Sequence, residues 1–231
     1  MEKKRYYTAL GHFQRRTDGK GSTYPVVLVN QQEHTMDHQE MAVWASLNWR
    51  LLNFHQIERH YDKMARELGL TEYRTLENCL WRLESRGLVA SGAGETDFDA
   101  LYDLLNGLYV VPISTKLPLR LATFLKMLLL DGVPFATAKQ IFRRDKPSER
   151  EAQVMALSRQ ALLSTAELIK CVELGVSDLS SDEKVMDALY NDEYTTCDNI
   201  GYAMRDSGSK IAVTMAVANL CMRKQIIFER V

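Results

Sequence analysis

Apolar residues in the first third of the chain recur every three or four positions, which is the spacing of amphipathic helices. The first such stretch follows Asp37, and its apolar residues would share one side of a helix: Met41, Val43, Trp44, Leu47 and Leu51. Asp37 is a good N-cap residue, because its carboxylate can accept hydrogen bonds from the free N–H groups of a first turn. The pattern therefore predicts a core helix that begins directly after Asp37.

Two further helices are predicted after this one. Residues 54–68 gather their apolar positions on one side, and this helix should end at Gly69, because glycine readily adopts the left-handed conformation that closes a helix. Thr71 is the predicted N-cap of a third helix over residues 72–86. Its core side would consist of Leu76, Leu80 and Leu83. The result is two helices joined by a three-residue turn.

Short strands are predicted on both sides of these helices. Residues 6–13 and 24–29 have strand character and flank a basic, turn-forming stretch, so we expect them to form a hairpin. Residues 88–90 and 108–111 are also strand-like, and we expect them to pair as a wing after the third helix. Between them, apolar residues recur at helical spacing over residues 98–105, which predicts a short inserted helix.

The second half of the chain is predicted to be helical. After Lys116, no strand pattern occurs until residues 225–230, which should form a final strand. Apolar periodicity indicates successive helices near residues 117–131, 134–143, 148–160, 164–175, 181–190, 195–206 and 209–223. The expected fold class is therefore mainly α with small β wings.

Composition narrows the class of protein. At 231 residues with 46% hydrophobic content, the chain can bury a substantial core. Its longest apolar stretch, residues 117–130, is interrupted by Arg120 and Lys126, so the span of about 20 apolar residues that a bilayer requires is missing. The basic start of the chain is not followed by the apolar region of a signal peptide. We therefore expect a cytoplasmic protein.

Charge and cysteine content change this picture little. The formal net charge is −1, whereas strong nonspecific binding to phosphates needs an excess of lysine and arginine. The cations nevertheless gather in the N-terminal arm and in residues 139–150, so one face could attract DNA. The four cysteines are widely separated without a CxxC pair, and we expect reduced thiols. Cys197, in a polar stretch, is the alternative candidate for a redox-sensing thiol.

The most informative segment joins the second and third predicted helices. It runs A-R-E-L-G-L-T over residues 65–71, and the third helix ends R-L-E-S-R-G-L-V over residues 82–89. This pattern resembles the winged helix-turn-helix of bacterial regulators such as the MarR and PadR families, and the resemblance covers about a third of the chain. It implies a sequence-specific transcriptional regulator whose third helix enters the major groove of DNA.

Rotation about the third helix predicts which side chains face that groove. They are Arg74, Asn78, Trp81, Arg82 and Ser85. Arg74, Asn78 and Arg82 are expected to contact base edges, because arginine and asparagine match the hydrogen-bonding patterns of guanine and adenine.

Further residues are expected to contact the DNA backbone. Thr71, Tyr73 and Thr75 lie near the N-terminus of the third helix, where hydroxyl and backbone N–H groups can donate to phosphates. Lys63 and Arg66 on the preceding helix complete the predicted DNA-binding set. Because regulators of this type usually bind two half-sites, the expected partners are double-stranded DNA and a second copy of the chain.

The charge balance of the third helix leaves two alternatives open. Three glutamates, Glu72, Glu77 and Glu84, balance its three arginines, and an outward tryptophan is unusual on a groove-facing helix. The first alternative is a winged-helix adaptor that contacts only protein, with Trp81 covered by a partner or by the wing insertion. The second is a plasmid or phage replication initiator, a class that also uses tandem winged helices.

The C-terminal end is predicted to repeat the motif in degenerate form. Residues 182–190, 196–204 and 210–223, followed by a strand at 226–228, echo the order helix, helix, longer helix, strand. The expected domains are an N-terminal hairpin and basic arm (1–30), a winged helix-turn-helix domain (31–115), a helical linker or dimerisation segment (116–180) and a degenerate winged-helix-like domain (181–231).

Catalytic and metal-binding patterns are weak throughout the sequence. His34 and His38 are four positions apart, but a third well-spaced ligand is lacking and Asp37 is better explained as a helix cap. The sequence contains no nucleophile elbow, phosphate-binding glycine loop or dinucleotide fingerprint. We therefore expect no enzyme activity, cofactor or metal, and an effector pocket among the helices of residues 117–172 is unsupported.

Overall fold

The structure is a computed structural model that describes residues 3–70, 74–113 and 146–230. In chain order, its elements are β1 (Lys4–Ala9), β2 (His12–Thr17), β3 (Thr23–Val29), β4 (Gln32–His34), α1 (His38–Leu47), α2 (Phe54–Leu68), α3 (Leu76–Ser85), β5 (Val89–Gly94), α4 (Asp97–Leu105), β6 (Tyr109–Pro112), α5 (Glu149–Ser158), β7 (Leu163–Ser164), α6 (Thr165–Glu173), α7 (Asp182–Tyr190), α8 (Ile200–Ala203), a 3-10 turn (Met204–Asp206), α9 (Lys210–Met222) and β8 (Ile226–Glu229). The fold thus combines helices with small antiparallel sheets.

Three helices and a small sheet form a first unit. α1 packs against α2 and α3 and buries Val43, Trp44 and Leu47. β1 pairs antiparallel with β5, and Leu52 forms an isolated antiparallel bridge to Tyr7 in β1. The central strand of this unit is therefore β1, which comes before the helices in the chain.

A second unit repeats this arrangement with later elements. α5 packs against α6 and α9, and β6 lies between β7 and β8 in an antiparallel sheet. Val110 of β6 stands opposite both Leu163 and Phe228, as Tyr7 of β1 stands opposite Leu52 and Ser91. Each unit thus takes its central strand from the segment that precedes its first helix.

The helix starts of the two units also correspond. α1 opens with a capping box between Asp37 and Glu40, and α5 opens with one between Ser148 and Glu151. α2 and α6 open with further capping boxes, which pair Asn53 with Gln56 and Ser164 with Glu167, at the same interval from the first. In each box the N-cap side chain accepts a hydrogen bond from the backbone N–H of the third helical residue. The side chain of that third residue accepts one from the backbone N–H of the N-cap, and the two bonds together fix where the helix begins.

The third helices of the two units end alike. Gly87 and Lys224 both have left-handed backbones, with φ of 67° and 57°. The next N–H groups, of Leu88 and Gln225, donate to the carbonyl oxygens of Leu83 and Leu220 at 2.9 Å in both cases. The helices of the second unit that correspond to α1, α2 and α3 are thus α5, α6 and α9, whereas the predicted C-terminal repeat used residues 182–190, 196–204 and 210–223.

The predicted wing is wrong in its pairing. Residues 88–90 and 108–111 fall in or next to β5 and β6, but β5 pairs with β1, and β6 pairs with β7 and β8. The physical reason is the helix between them, α4, which lies across β1 and β5. At Gly92 a Cβ atom would come within 2.0 Å of the backbone N of Leu104, so this glycine permits the close approach of α4.

An N-terminal hairpin is present, but its first strand is β2 and not the predicted strand over residues 6–13. β2 pairs with β3 from His12 opposite Leu28 to Thr17 opposite Thr23, and β4 adds a third strand that the sequence did not predict. The single strand expected over residues 6–13 is divided at Gly11, which has φ of +75°. A Cβ atom there would lie 2.0 Å from the carbonyl oxygen of Leu28, so the chain can turn closely only at a glycine.

Several helix predictions are confirmed. α2 spans Phe54–Leu68 and ends at Gly69, whose backbone is left-handed with φ of 60°. α4 and the helices predicted near 148–160, 164–175, 181–190 and 209–223 are present, whereas the one expected over 195–206 is reduced to α8 and a 3-10 turn. The helices expected near 117–131 and 134–143 lie outside the described residues. In the described ranges, every helix is too short or too polar to cross a membrane.

Candidate nucleic-acid interface

The third helix begins later than predicted. α3 spans Leu76–Ser85 instead of residues 72–86, and its N-cap is Thr75, not Thr71. The Oγ1 atom of Thr75 accepts a hydrogen bond from the backbone N of Asn78 at 3.3 Å. The connection from α2 is therefore longer than the expected three-residue turn. Thr71 and Tyr73, two of the residues predicted to contact phosphates, lie outside the described residues.

The helical phase of α3 is as predicted on its apolar side. Cys79, Leu80 and Leu83 are buried, and Leu76 is half-buried against the core. The opposite side is exposed and consists of Thr75, Glu77, Asn78, Trp81 and Ser85. The indole of Trp81 is the most prominent group there, since this residue is 65% exposed. Asn78, Trp81 and Ser85 thus point outward as expected.

The two arginines expected beside them are placed differently. The Nε of Arg82 donates to Oε1 of Glu40 at 2.6 Å, and the Nη1 of Arg74 donates to Oδ2 of Asp37 at 2.6 Å. The prediction that both side chains project freely outward is therefore wrong. The reason lies in α1, whose N-terminus packs against α3 and brings two carboxylates within reach of the arginines.

Glu40 is the centre of this cluster. Its side chain is only 2% exposed, and a buried carboxylate is costly unless cations and hydrogen bonds compensate it. Arg86 supplies a second guanidinium, with Nη1 at 3.1 Å from Oε2 of Glu40, and it also donates to the carbonyl oxygen of Thr35. The Nη1 of Arg74 lies 3.9 Å from Oε1 of the same carboxylate. These contacts fix the orientation of α3 on α1.

Neither Glu40 nor Arg86 was among the predicted site residues. The spacing of Asp37 and Glu40 is that of a capping box, in which the third helical residue is an acid facing back to the N-cap. Such an acid lies at the helix N-terminus, where the helix dipole favours negative charge. The pattern could have located the carboxylate, but its three arginine neighbours depend on how the helices pack.

A cationic strip runs along α2. Lys63 and Arg66 are exposed, as predicted, and Arg59 joins them on the same side of the helix by its spacing. The Lys63 ammonium is 4.0 Å from the carboxylate of Glu67, and the Nε of Arg66 donates to the carbonyl oxygen of Asp62 at 3.0 Å. Both cations are therefore held near the helix by neighbours one turn away.

His60 lies near the cations of this strip. Partial burial, followed by the charges of Arg50, Arg59 and Lys63, lowers the pKa of His60 below its usual value. A histidine beside several cations resists protonation, because its charged form would be repelled.

Other candidate groups do not assemble into a site. His34 lies in β4 and His38 is the first residue of α1, and residues 3–70, 74–113 and 146–230 contain no group of three or more potential ligands placed to hold a metal ion. All four cysteines are free thiols. Burial raises the pKa of Cys221 to about 12, whereas Cys197 is exposed.

The described parts of α2 and α3 therefore place a cationic strip and an exposed helix side on neighbouring elements of one unit. The exposed side offers the carboxylate of Glu77, an amide, an indole and two hydroxyl groups, and hydrogen bonds from Arg74 and Arg82 connect the other side to α1. Comparisons with protein-family models, with curated proteins and with solved structures find no match.

Proposed function

We propose that this protein is a sequence-specific DNA-binding regulator that places the exposed side of α3 in the major groove. One observation supports it most: the outer side of α3 is uncovered while its inner side is locked to α1 by the Glu40 cluster. A helix that reads DNA needs both properties, because its base-contacting groups must be accessible and held in a fixed direction.

The proposed fold of each unit is a winged helix with a rearranged strand. The order helix, short strand, helix, helix, strand is that of a winged helix-turn-helix. The first unit follows it with α1, the bridge at Leu52, α2, α3 and β5, and the second follows it with α5, β7, α6, α9 and β8 but has α7 and α8 inserted between α6 and α9. The sheet of the second unit has three strands, and that of the first has two strands and the bridge at Leu52. The central position is occupied by a strand from earlier in the chain, in place of the last strand of a usual wing. The sequence resemblance over residues 65–89 supports the same assignment.

The roles of the DNA-binding residues follow from their exposure. Asn78 is the proposed base-contacting residue, because an amide can pair in a bidentate manner with adenine. Thr75 is proposed to donate to the DNA backbone at the N-terminus of α3, whereas the hydroxyl of Ser85 donates to the carbonyl oxygen of Trp81. Lys63 and Arg66 are proposed to contact phosphates.

Arg74 and Arg82 position α3, since their guanidinium groups donate hydrogen bonds to carboxylates of Asp37 and Glu40 at the start of α1.

The test is a selection of bound duplexes from a random DNA pool, followed by affinity measurements at several salt concentrations. We expect an enriched sequence and a steep loss of affinity with salt. Lys63→Ala should weaken binding to all sequences and reduce the salt slope by about 1, whereas Asn78→Ala should relax the preference at one position. Lys184→Ala is the matched control, because Lys184 of α7, like Lys63, is an exposed lysine near a carboxylate, that of Asp178.

A second candidate function, a protein-binding adaptor, is favoured by Trp81. An exposed indole is typical of the centre of protein interfaces, and the exposed side of the described part of α3 contains no lysine or arginine. An adaptor would bind no duplex even at low salt, and this result would exclude the DNA-binding proposal. The duplicated unit also fits a replication initiator, and iterated repeats in the selected DNA would favour that class over a regulator that binds two half-sites as a homodimer.

A further inference from the structure

α9, the third helix of the second unit, is hydrophobic around its whole circumference. Residues 211–222 contain no charged side chain. One side of the helix packs against α5 and α6, whereas the opposite side carries Ile211, Met215 and Met222, which are 61%, 41% and 52% exposed. A helix that faces solvent usually carries polar residues on its outer side, and a helix that is hydrophobic all round is usually buried. This apolar side of α9 is therefore expected to be covered by a partner.

α6, the counterpart of α2, has a single cation where α2 has a strip. That cation is Lys170, and its ammonium is buried beside the carboxylate of Asp192. The ammonium of Lys210, at the start of α9, lies 5.4 Å from the centre of the Tyr102 ring in α4. DNA binding needs accessible lysine and arginine side chains that meet phosphates. The apolar side of α9 therefore suits an uncharged protein surface better than a duplex.

A second copy of this chain presents such a surface. In a two-fold symmetric contact a surface faces itself, so an uncharged side meets an uncharged side and no like charges are brought together. Two α9 helices that run antiparallel would place Ile211 and Ala212 opposite Met222 of the second copy. The same register would place Met215 opposite Asn219 of the second copy. A single polar residue in an apolar helix contact helps to fix its register, and Asn219, which is half-buried, is suited to that role.

The size of this surface limits the strength of the contact. α9 has 13 residues and is therefore about 20 Å long and about 10 Å wide. Stable dimers bury about 800 Å² on each partner, and a pair of helices of this length covers less. Small interfaces are typical of weak, reversible complexes. A dimer through α9 should therefore form in the micromolar range and not be permanent.

We propose that the apolar side of α9 is the surface through which two copies of this chain form a weak, antiparallel dimer. The second unit then uses its third helix for a protein contact, whereas the first unit keeps a polar outer side on α3. The dimer does not depend on DNA binding, because its surface lies on the other unit and its test contains no DNA. If the proposed function also holds, the dimer supplies two α3 helices for two half-sites.

Sedimentation equilibrium of the full-length protein without DNA measures the association. We expect a monomer–dimer equilibrium with a Kd of about 1–100 μM. Met215→Asp brings like charges close together in the dimer and should raise this Kd at least about tenfold. Met186→Asp is the matched control, because Met186 is an exposed methionine of α7, and it should leave the Kd unchanged. Thermal unfolding followed by circular dichroism checks that both variants are folded.

A charge exchange tests whether the two copies of Met215 approach each other. Met215→Lys alone should weaken the dimer as Met215→Asp does. An equal mixture of the two variants should recover the association of the parent protein, because opposite charges then meet across the contact.

Cysteine cross-linking tests the direction of the helices and does not require the aspartate variant to fold. In a Cys197→Ser background, which removes the exposed thiol, Ile211→Cys mixed with Met222→Cys should form a disulfide-linked dimer faster than either variant alone.

Three results would overturn the proposal. The first is a protein that stays monomeric at about 1 mM, which is also the result expected if another part of the same chain or a different protein covers α9. The second is a dimer that Met215→Asp leaves intact or that Met186→Asp weakens equally. The third is cross-linking of each cysteine variant with itself as fast as in the mixture.

Discussion

Arg223 donates from Nη1 to Oε2 of Glu151 across 2.7 Å, and this pair repeats in the second unit the contact between Arg86 and Glu40. Both glutamates are the third residue of a capped helix and are only 2% exposed. Both arginines are the C-cap residues of the third helix of their unit. Each unit therefore ties the start of its first helix to the end of its third by the same ion pair.

Because the two ion pairs correspond, Arg86 and Arg223 are expected to contribute similarly to the stability of their units. Arg86→Met and Arg223→Met should each lower the free energy of unfolding by about 1–2 kcal/mol, because each leaves a buried carboxylate with fewer hydrogen bonds. The loss should not be larger, because both arginine side chains are half-exposed and water screens their charge. Urea denaturation followed by circular dichroism measures the change. Arg205→Met is the control, since Arg205 is exposed and 3.7 Å from Asp103, and it should cost less than about 1 kcal/mol. Equal effects for all three variants would contradict the shared role.

Variants of Arg82 and Asn78 distinguish a residue that positions α3 from a residue that contacts bases. Arg82→Ala should lower stability by about 1–2 kcal/mol, because it removes a 2.6 Å hydrogen bond to the buried Glu40, and should weaken DNA binding equally for all sequences. Asn78→Ala, at an exposed position, should leave stability within about 0.5 kcal/mol and change base preference. Denaturation and competition binding with variant duplexes measure the two effects. A relaxed preference in Arg82→Ala would instead show a direct base contact.

The helical phase of α3 is tested by adjacent residues. Leu80 is buried and its neighbour Trp81 is exposed, so Leu80→Ala should cost about 2–5 kcal/mol and Trp81→Ala less than about 1 kcal/mol. Differential scanning calorimetry of the two variants gives the comparison. A larger loss for Trp81→Ala would mean that this indole is covered in the folded protein.

A buried lysine makes stability depend on pH. The hydrogen bond from Lys170, at 2.5 Å, together with that from Thr195, holds the pKa of Asp192 well below its usual range. A carboxylate with a lowered pKa in the folded state stabilises the protein above its unfolded pKa of about 4, and this contribution is lost as the pH falls toward the folded value.

Asp192→Asn should therefore be less stable than the parent protein at neutral pH, and the difference should shrink as the pH falls below about 4. Urea titrations at a series of pH values measure it. Asp187→Asn, at an exposed position of α7, is the control. A difference that stays constant with pH would show that the charge of Asp192 is not responsible.

Thiol reactivity reports on burial. Burial raises the pKa of Cys171 to about 11 and that of Cys221 to about 12, and it also raises the pKa of Cys79, so little reactive thiolate is present at these positions. In the folded protein, labelling with a disulfide reagent should therefore modify Cys197 first. Cys197→Ser should remove the fast phase, and fast labelling of a second thiol would contradict the buried positions.

Local features of the fold were predictable from the sequence. The bounds of α2 followed from its apolar side and from Gly69, and the cap of α1 followed from Asp37, because both signals involve residues within one or two turns. Strand pairing was not predictable in the same way. β5 and β6 had the expected strand character, but which strand each one joins depends on contacts far apart in the chain.

For the candidate interface, the sequence predicted which side of α3 faces outward but not which charged groups that side presents. Rotation about α3 correctly placed Asn78 and Trp81 outward. It failed for Arg74 and Arg82, because a long arginine side chain can bend back from its Cβ toward a neighbouring helix.

The position of the central strands has a consequence for how the chain is made. β1 finds its partner at residues 89–94, and β6 completes its sheet only with residues 226–229. During synthesis from the N-terminus, each of these strands emerges from the ribosome long before its last neighbouring strand. Until that neighbour is made, the backbone N–H and C=O groups along one edge of the strand stay unpaired. Folding should therefore be slow for a protein of this size, and a chain that stops before β8 would offer β6 to strands of other molecules.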